Sequence, residues 1–176
     1  MSFKVMADNS ESISSSQDGA MYNVFAGNQD FIIGDIGNEM TVSTNTASRV
    51  ATVGTGECVI GGRHVSAVGT NTITLPASSR GYLVLRYDLS SSTIASLQTA
   101  TTLEADNLND GGTTRDLLLG TYVTTSSGVS QFIDGRVIKT AIFDSTEVAQ
   151  IYSGTTTPSD TLGKNGDLYI QYGNSN

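Results

Sequence analysis

Apolar and polar residues alternate in short stretches over most of the chain after Phe31. The clearest stretch is Tyr82–Leu89, where one face carries only apolar and aromatic side chains, namely Leu83, Leu85, Tyr87 and Leu89. Because successive side chains of a β-strand point to opposite faces, this period predicts a strand with one buried face. Arg115–Thr124 is a second such stretch. Together the two predict one apolar interior that contains Leu83, Leu85, Tyr87, Leu117, Leu119 and Val123.

Similar patterns predict further strands at Val50–Val53, Glu57–Ile60, Arg63–Val68, Asn71–Leu75, Thr93–Thr99, Arg115–Thr124 and Val129–Ile133. Turn residues separate these stretches, and proline is almost absent, so hydrogen-bond ladders can form without interruption. Regularly spaced short strands are typical of a sandwich or a barrel. We predict an all-β fold, an antiparallel β-sandwich with a short N-terminal helix and a C-terminal loop-strand extension.

The short helix is predicted just before the first strands. Asp18 is a suitable N-cap and Gly27 a suitable stop, and three apolar residues lie between them at i, i+3 and i+4, namely Met21, Val24 and Phe25. The polar stretch Ala7–Gly19 is expected to wrap a surface or a neighbour, because it holds too little apolar material for a core element.

The character of the chain changes near Asp144, which predicts a β-sandwich domain at residues 1–143 and a linker with a stalk-like loop-strand segment at residues 144–176. Ser153–Gly166 is rich in Thr, Pro and Gly and predicts a loop, and Asp167–Tyr172 predicts a strand. A lone strand is unstable, so this strand is expected to pair with the domain, a symmetry mate or further sequence. Its side chains form the candidate partner interface: Leu168, Tyr169, Ile170 and Tyr172.

Charge and hydropathy exclude some partners. The formal net charge of -8 argues against nucleic acid, whose binding depends on cationic side chains that displace counterions. The chain has no apolar run of the roughly 18 residues that a membrane-spanning helix needs, and its start lacks the layout of a signal peptide. We expect a soluble chain that is made in the cytoplasm and binds neither nucleic acid nor membrane.

The candidate reactive residues are few. Cys58 and His64 are the only cysteine and the only histidine, and they flank the Gly61-Gly62 turn. A nucleophilic pair also needs an orienting group, which the sequence does not identify, and zinc needs more Cys or His ligands. The preferred interpretation is a hairpin with a small buried thiol and an imidazole at an edge or on the surface.

Two loops resemble ligand sites only in part. In the acidic loop Asp106–Gly111, Leu108 stands at the third ligand position of a calcium loop, so a turn is the better interpretation. Gly163-Lys164-Asn165 lacks the first glycine of a phosphate loop and is also interpreted as a turn. The sequence therefore predicts no catalytic residue, no metal ligand and no cofactor.

Three stretches resemble a known family in their order and spacing. Thr55–Val65 carries a strand, a Gly-Gly-Arg corner and a return strand; Gly81–Ser90 is an extended strand that ends in an Asp-Leu-Ser turn; and Leu117–Val129 is similar to a long closing hairpin. The match also includes Asn71–Leu75, and the resemblance covers roughly Phe31 to Ile138. These stretches resemble the N-terminal attachment (shoulder) domain of siphophage baseplate and receptor-binding proteins.

This resemblance implies a non-enzymatic phage virion protein of the tail baseplate or fibre, made in the host cytoplasm, that anchors the host-adhesion device to the tail. It implies other tail or baseplate proteins as partners, a homotrimer, and a host cell-wall saccharide that is bound through a region with no counterpart here. Two alternatives are a carbohydrate-binding module that recognises host cell-surface glycans and an enzyme of the fibre depolymerase type.

Overall fold

The computed structural model describes residues 15–140, 151–157, 159 and 168–171. The chain divides into two compact units, Met1–Thr140 and Ala141–Asn176. The all-β prediction is confirmed, since strands dominate and the described helix is short. That helix has eleven residues, and no described helix has the length and apolar character that a bilayer crossing requires.

The helix is α1 (Ser15–Phe25), and the strands of the first unit are β1 (Phe31–Ile33), β2 (Val42–Asn45), β3 (Ser48–Val53), β4 (Gly56–Ile60), β5 (Arg63–Ala67), β6 (Asn71–Thr74), β7 (Arg80–Asp88), β8 (Ala95–Ala100), β9 (Thr114–Thr124), β10 (Val129–Asp134) and β11 (Ile138–Lys139). The second unit contains β12 (Ile151–Gly154) and β13 (Leu168–Gln171).

The strands of the first unit form three sheets, with the orders β11-β1-β4-β5, β2-β3-β6 and β10-β9-β7-β8. All of these strand pairs are antiparallel except β1 with β11. The predicted antiparallel, sandwich-like arrangement therefore holds, with one parallel pair that the sequence did not predict. The very short β1 and β11 escaped prediction because two or three residues carry no readable period.

One hydrophobic core joins the three sheets. Its buried members are Ile32, Met40, Ala51, Val53, Cys58, Ile60, Leu75, Leu83, Leu85, Leu117, Leu119, Tyr122 and Val129. Four of the predicted interior residues are among them, and Tyr87 packs against the cluster while partly exposed. The apolar face predicted for β7 is therefore buried at Leu83 and Leu85, and Val84 on the opposite face is buried as well.

The prediction for Val123 was wrong, because β9 contains a bulge. Leu83 pairs with Gly120 whereas Val84 pairs with Leu118, so Leu119 is an extra residue in β9. One extra residue moves every later side chain to the opposite face of the sheet. Tyr122 is therefore buried, and Val123 is 39% exposed.

The prediction for Leu89 was also wrong, because β7 ends one residue earlier. The Asp88 carboxylate accepts hydrogen bonds from the backbone and the hydroxyl of Ser90, at 2.8 and 2.6 Å. These bonds start the turn after Asp88 and lower the pKa of its carboxyl. Leu89 consequently lies in the turn and is exposed.

We predict that Leu85→Ala destabilises the first unit by about 2–5 kcal/mol, because it removes buried methyl groups and leaves a cavity between the sheets. Chemical denaturation measures the loss, and Val123→Ala is the control, because Val123 is 39% exposed on the neighbouring strand β9. A loss below about 0.5 kcal/mol for Leu85→Ala would contradict the place of this side chain in the core.

Candidate functional site

The turn between β4 and β5 consists of two glycines with left-handed backbone angles. The φ angles are 53° at Gly61 and 79° at Gly62, and Ile60 pairs with Arg63 across the turn. Two-residue hairpins of this kind need positive φ at both positions, which glycine adopts without steric cost. The Gly-Gly-Arg corner that the sequence suggested is therefore a tight hairpin turn.

Helix α1 lies directly on this turn. A Cβ added at Gly62 would lie 2.7 Å from the backbone nitrogen of Asn23 and closer still to the carbonyl oxygen of Gly19. No side chain fits in that space, because real Cβ contacts are never shorter than 3.0 Å. The close approach requires a glycine at position 62 and brings the backbone of α1 against the hairpin.

The buried guanidinium of Arg63 holds a second element to the same turn. It donates hydrogen bonds to the carbonyl oxygens of Gly61 (2.8 Å) and Leu108 (3.0 Å) and to the side-chain oxygen of Asn109. Within the described part of the chain, Arg63 forms no ion pair with a carboxylate. Three oxygen acceptors thus satisfy a buried cation and attach the loop after Asp106 to the hairpin.

Asp30 completes this polar cluster. One carboxylate oxygen accepts a hydrogen bond from the Gly61 backbone nitrogen at 2.7 Å, and the other accepts one from Nε of Arg115 at 2.6 Å. Arg115 also donates to the carbonyl oxygen of Asp106 at 3.0 Å. The chain before β1, the β4–β5 turn and the start of β9 are therefore tied together by one carboxylate.

The sequence interpretation of Cys58 and His64 agrees with the structure. Cys58 pairs with Val65 whereas His64 pairs with Val59, so their side chains lie on opposite faces of the hairpin. Burial, and secondarily the charges of Asp30 and Glu57, raise the pKa of the Cys58 thiol to about 12. His64 is exposed and hydrogen-bonds Glu57 at 2.7 Å. The imidazole cannot activate the thiol from the other face.

The acidic loop is a turn, as its sequence indicates. The Asp106 carboxylate accepts hydrogen bonds from the backbone nitrogens of Thr113 (3.0 Å) and Thr114 (3.1 Å), and these bonds lower the pKa of its carboxyl. Leu108 is buried against the β4–β5 turn, where it would contact a side chain at Gly61. The loop thus packs on the fold through Leu108.

An ion pair with a buried carboxylate joins β7 to β9. Arg86 donates two hydrogen bonds of 2.8 Å to the carboxylate of Asp116, whose side chain is fully buried, and this contact raises the pKa of Arg86. The Asp116 carboxylate also accepts a hydrogen bond from the backbone nitrogen of Glu104 at 3.0 Å. Among the described residues, every buried side-chain nitrogen or oxygen has a hydrogen-bond partner.

Large apolar side chains are instead exposed on α1. The sequence placed Met21, Val24 and Phe25 on a helix, and all three point away from the sheets, together with Tyr22. Asp18 lies inside α1, so the prediction that it caps the helix was wrong. We call Met21, Tyr22, Val24 and Phe25 the α1 apolar face. Periodicity located these residues but did not indicate which way they point.

The second unit has a two-stranded parallel sheet, in which β12 runs beside β13. Leu168 and Ile170 are about half exposed, and Tyr169 donates a hydrogen bond from its hydroxyl to the carbonyl oxygen of Thr156 at 2.7 Å. Tyr172, the fourth residue of the predicted interface, lies outside the described residues.

The sequence did not predict β12. It assigned Ser153 and Gly154 to a loop, but both residues pair with β13. Gly154 favoured the loop prediction because glycine is common in turns. Here it leaves room for the hydroxyl of Tyr169, which a Cβ at that position would meet. The partner of the predicted strand is therefore a strand of the same unit.

A search of protein-family profiles and of curated protein sequences found no match to the chain.

We predict that Gly62→Ala displaces α1 from the β4–β5 turn. Gly69→Ala is the matched control, because Gly69 has a similar φ of 76° and nothing within 4 Å of an added Cβ. Both changes place an alanine at a positive φ angle, which lowers the free energy of unfolding. Only Gly62→Ala also creates a clash with α1, which lowers it by about 1–3 kcal/mol more. Denaturation and chymotrypsin cleavage within α1 measure the effect. Equal stability and equal cleavage of the two variants would contradict the packing.

We also predict that Cys58→Ser and His64→Gln leave the assembly of the chain intact apart from a modest packing loss, because the thiol is buried and the imidazole lies on the opposite face of the hairpin. The mass in solution before and after each substitution measures this. Ellman's reagent should label Cys58 only after unfolding, since the thiol is buried and its pKa is raised to about 12. A hydrolytic activity that either substitution abolishes would contradict this interpretation.

Proposed function

We propose that the chain is a structural protein of a phage tail, located in the baseplate or at a fibre attachment point, that anchors the host-adhesion device to the tail. The observation that carries this proposal is which side chains are buried and paired and which are exposed. Buried charged groups bond to partners within the fold, as Arg63 and Asp116 do, while large apolar side chains remain exposed on α1 and β13. Such a molecule acts through surface contact.

The segments that resemble siphophage attachment domains support the proposal. Gly61-Gly62-Arg63 is a tight corner that organises its surroundings, and the two other segments supply β7 and β9, whose side chains reach the core. The resemblance thus rests on residues with structural roles. An attachment domain needs a rigid body of this kind, because preorganised surfaces lose less entropy when they bind.

The proposed partners are other tail or baseplate proteins and further copies of the chain, with a homotrimer as the preferred state. We place Leu168, Tyr169, Ile170 and Tyr172 at or near a contact between subunits. Parallel sheets normally have both faces covered, and a two-stranded sheet is marginal in water. The exposure of Leu168 and Ile170 on such a small sheet supports a contact there.

The main alternative is a carbohydrate-binding module. A glycan array with the purified chain separates the two functions, because an attachment protein binds no glycan in this assay, whereas selective binding to one glycan class would favour the alternative. A fibre depolymerase would instead require an activity that is lost when one acidic residue is replaced.

We predict that a chain truncated after Gln150 dissociates more readily than the full chain and keeps its β-rich circular dichroism. The truncation removes β12 and β13 together and leaves the core of the first unit complete. Light scattering over a range of concentrations measures the mass. Equal masses at every concentration would mean that the second unit has no role in assembly.

A pair of substitutions in the full chain refines this test. Leu168→Ser with Ile170→Ser should weaken assembly as the truncation does, because serine removes the exposed apolar area of β13. Val68→Ser with Ile133→Ser is the matched control, since these residues are exposed on the first unit. An equal effect of both pairs would argue against a specific contact at β13.

A further inference from the structure

Three aspartates are followed directly by glycine, at Asp18-Gly19, Asp110-Gly111 and Asp134-Gly135. Among aspartates, one followed by glycine is the most prone to close a ring between its side-chain carboxyl and the next backbone nitrogen, because glycine places no side chain beside that nitrogen. In a folded protein the ring forms only where the carboxyl and the following N–H are both free to approach each other. The structure distinguishes the three linkages on these grounds.

Both reacting groups are free at Asp110-Gly111. The two residues are exposed in the turn between Asn107 and Gly112. Gly111 has a φ of 77°, and a Cβ built on it would meet nothing within 4 Å, so its backbone borders open space. Across the described ranges, the Gly111 N–H and the Asp110 carboxylate have no hydrogen-bond or ion-pair partner.

Both groups are held at Asp134-Gly135. The Asp134 carboxylate accepts hydrogen bonds from Nε (2.9 Å) and Nη2 (2.6 Å) of Arg136, and these bonds lower the pKa of its carboxyl. Ring closure proceeds from the protonated carboxyl, which a lowered pKa makes rarer. The Gly135 N–H donates to the carbonyl oxygen of Leu119 at 3.2 Å, so the attacking nitrogen is occupied as well.

The linkage Asp18-Gly19 is constrained by its helix. Gly19 is buried inside α1. A helical backbone directs its N–H groups along the helix axis, away from the preceding side chain. Asp110 is therefore the one aspartate of the three whose surroundings permit the reaction.

We propose that Asp110 is a site of spontaneous modification, at which aspartate isomerises to isoaspartate through a succinimide. The Gly111 nitrogen attacks Cγ of the protonated carboxyl, an N–C bond forms, and the N–H proton leaves with the carboxyl hydroxyl as one water. A water molecule then opens the ring. Attack at the side-chain carbonyl restores aspartate, whereas attack at the main-chain carbonyl leaves the main chain running through Cβ and Cγ. The overall mass is unchanged, and the inference does not depend on the proposed function.

The modified turn is the one that binds the buried guanidinium of Arg63. The turn is closed by a hydrogen bond from the Gly112 nitrogen to the Asn107 carbonyl oxygen at 3.0 Å. It supplies two acceptors of Arg63, the Leu108 carbonyl oxygen at 3.0 Å and the side-chain oxygen of Asn109. Isoaspartate lengthens the main chain inside this turn and shifts these acceptors. Because a buried cation without acceptors is costly, isomerisation loosens the loop from the β4–β5 turn.

Peptide mapping of the full chain tests the site. After long warm incubation near neutral pH, trypsin places the three linkages in different peptides, because Lys or Arg residues lie between them. Isoaspartyl methyltransferase with a labelled methyl donor marks isoaspartate, and fragmentation in the mass spectrometer locates it. Isoaspartate should form at Asp110 at least about 10-fold faster than at Asp134. In urea the three rates should be alike, because only the fold distinguishes them. No isoaspartate at Asp110, or equal rates in the folded chain, would overturn the inference.

Asp110→Glu is the matched variant, because it keeps the charge but closes its larger ring much more slowly. The label in this peptide should disappear. Asn165-Gly166, which forms the same kind of ring by losing ammonia, is present in both chains and cancels in the comparison. After equal incubation, a less stable fraction should appear on denaturation of the original chain but not of the variant. Equal stability despite isoaspartate at Asp110 would overturn the link to Arg63.

Discussion

Two consecutive glycines at the β4–β5 turn determine how the rest of the first unit is attached to its sheets. Their positive φ angles make the hairpin tight, and the missing side chain at Gly62 lets the backbone of α1 approach. The next residue, Arg63, binds the 106–112 loop, and the Gly61 nitrogen binds Asp30. A helix, a loop and the entry to β1 thus depend on three residues of one corner.

The sequence predicted most strands because their alternation is long enough to read. Leu83, Leu85, Leu117 and Leu119 are core residues as expected. The prediction failed where a local backbone feature interrupts the period. The bulge at Leu119 reverses the faces of β9, so Tyr122 replaces Val123 in the core. No residue pattern marks a bulge whose extra residue is an ordinary leucine.

The candidate interaction surfaces were harder to predict than the fold. Helical spacing identified Met21, Val24 and Phe25, but spacing is the same for a face that points inward or outward. The direction depends on Gly62, which is distant in sequence and packs against α1 at Gly19 and Asn23. Likewise, the partner of β13 was missed because β12 contains a serine and a glycine that are typical of loops. Both errors come from contacts between segments that local patterns do not encode.

We propose that the chain acts by assembling with copies of itself and with neighbouring tail proteins, because its buried charged groups bond within the fold while large apolar side chains are exposed on α1 and β13. The mass of the full chain in solution tests this claim most directly. Light scattering across a range of concentrations should show a species about three times the chain mass of 18.4 kDa, which dissociates on dilution. A mass of one chain at every concentration would contradict the account.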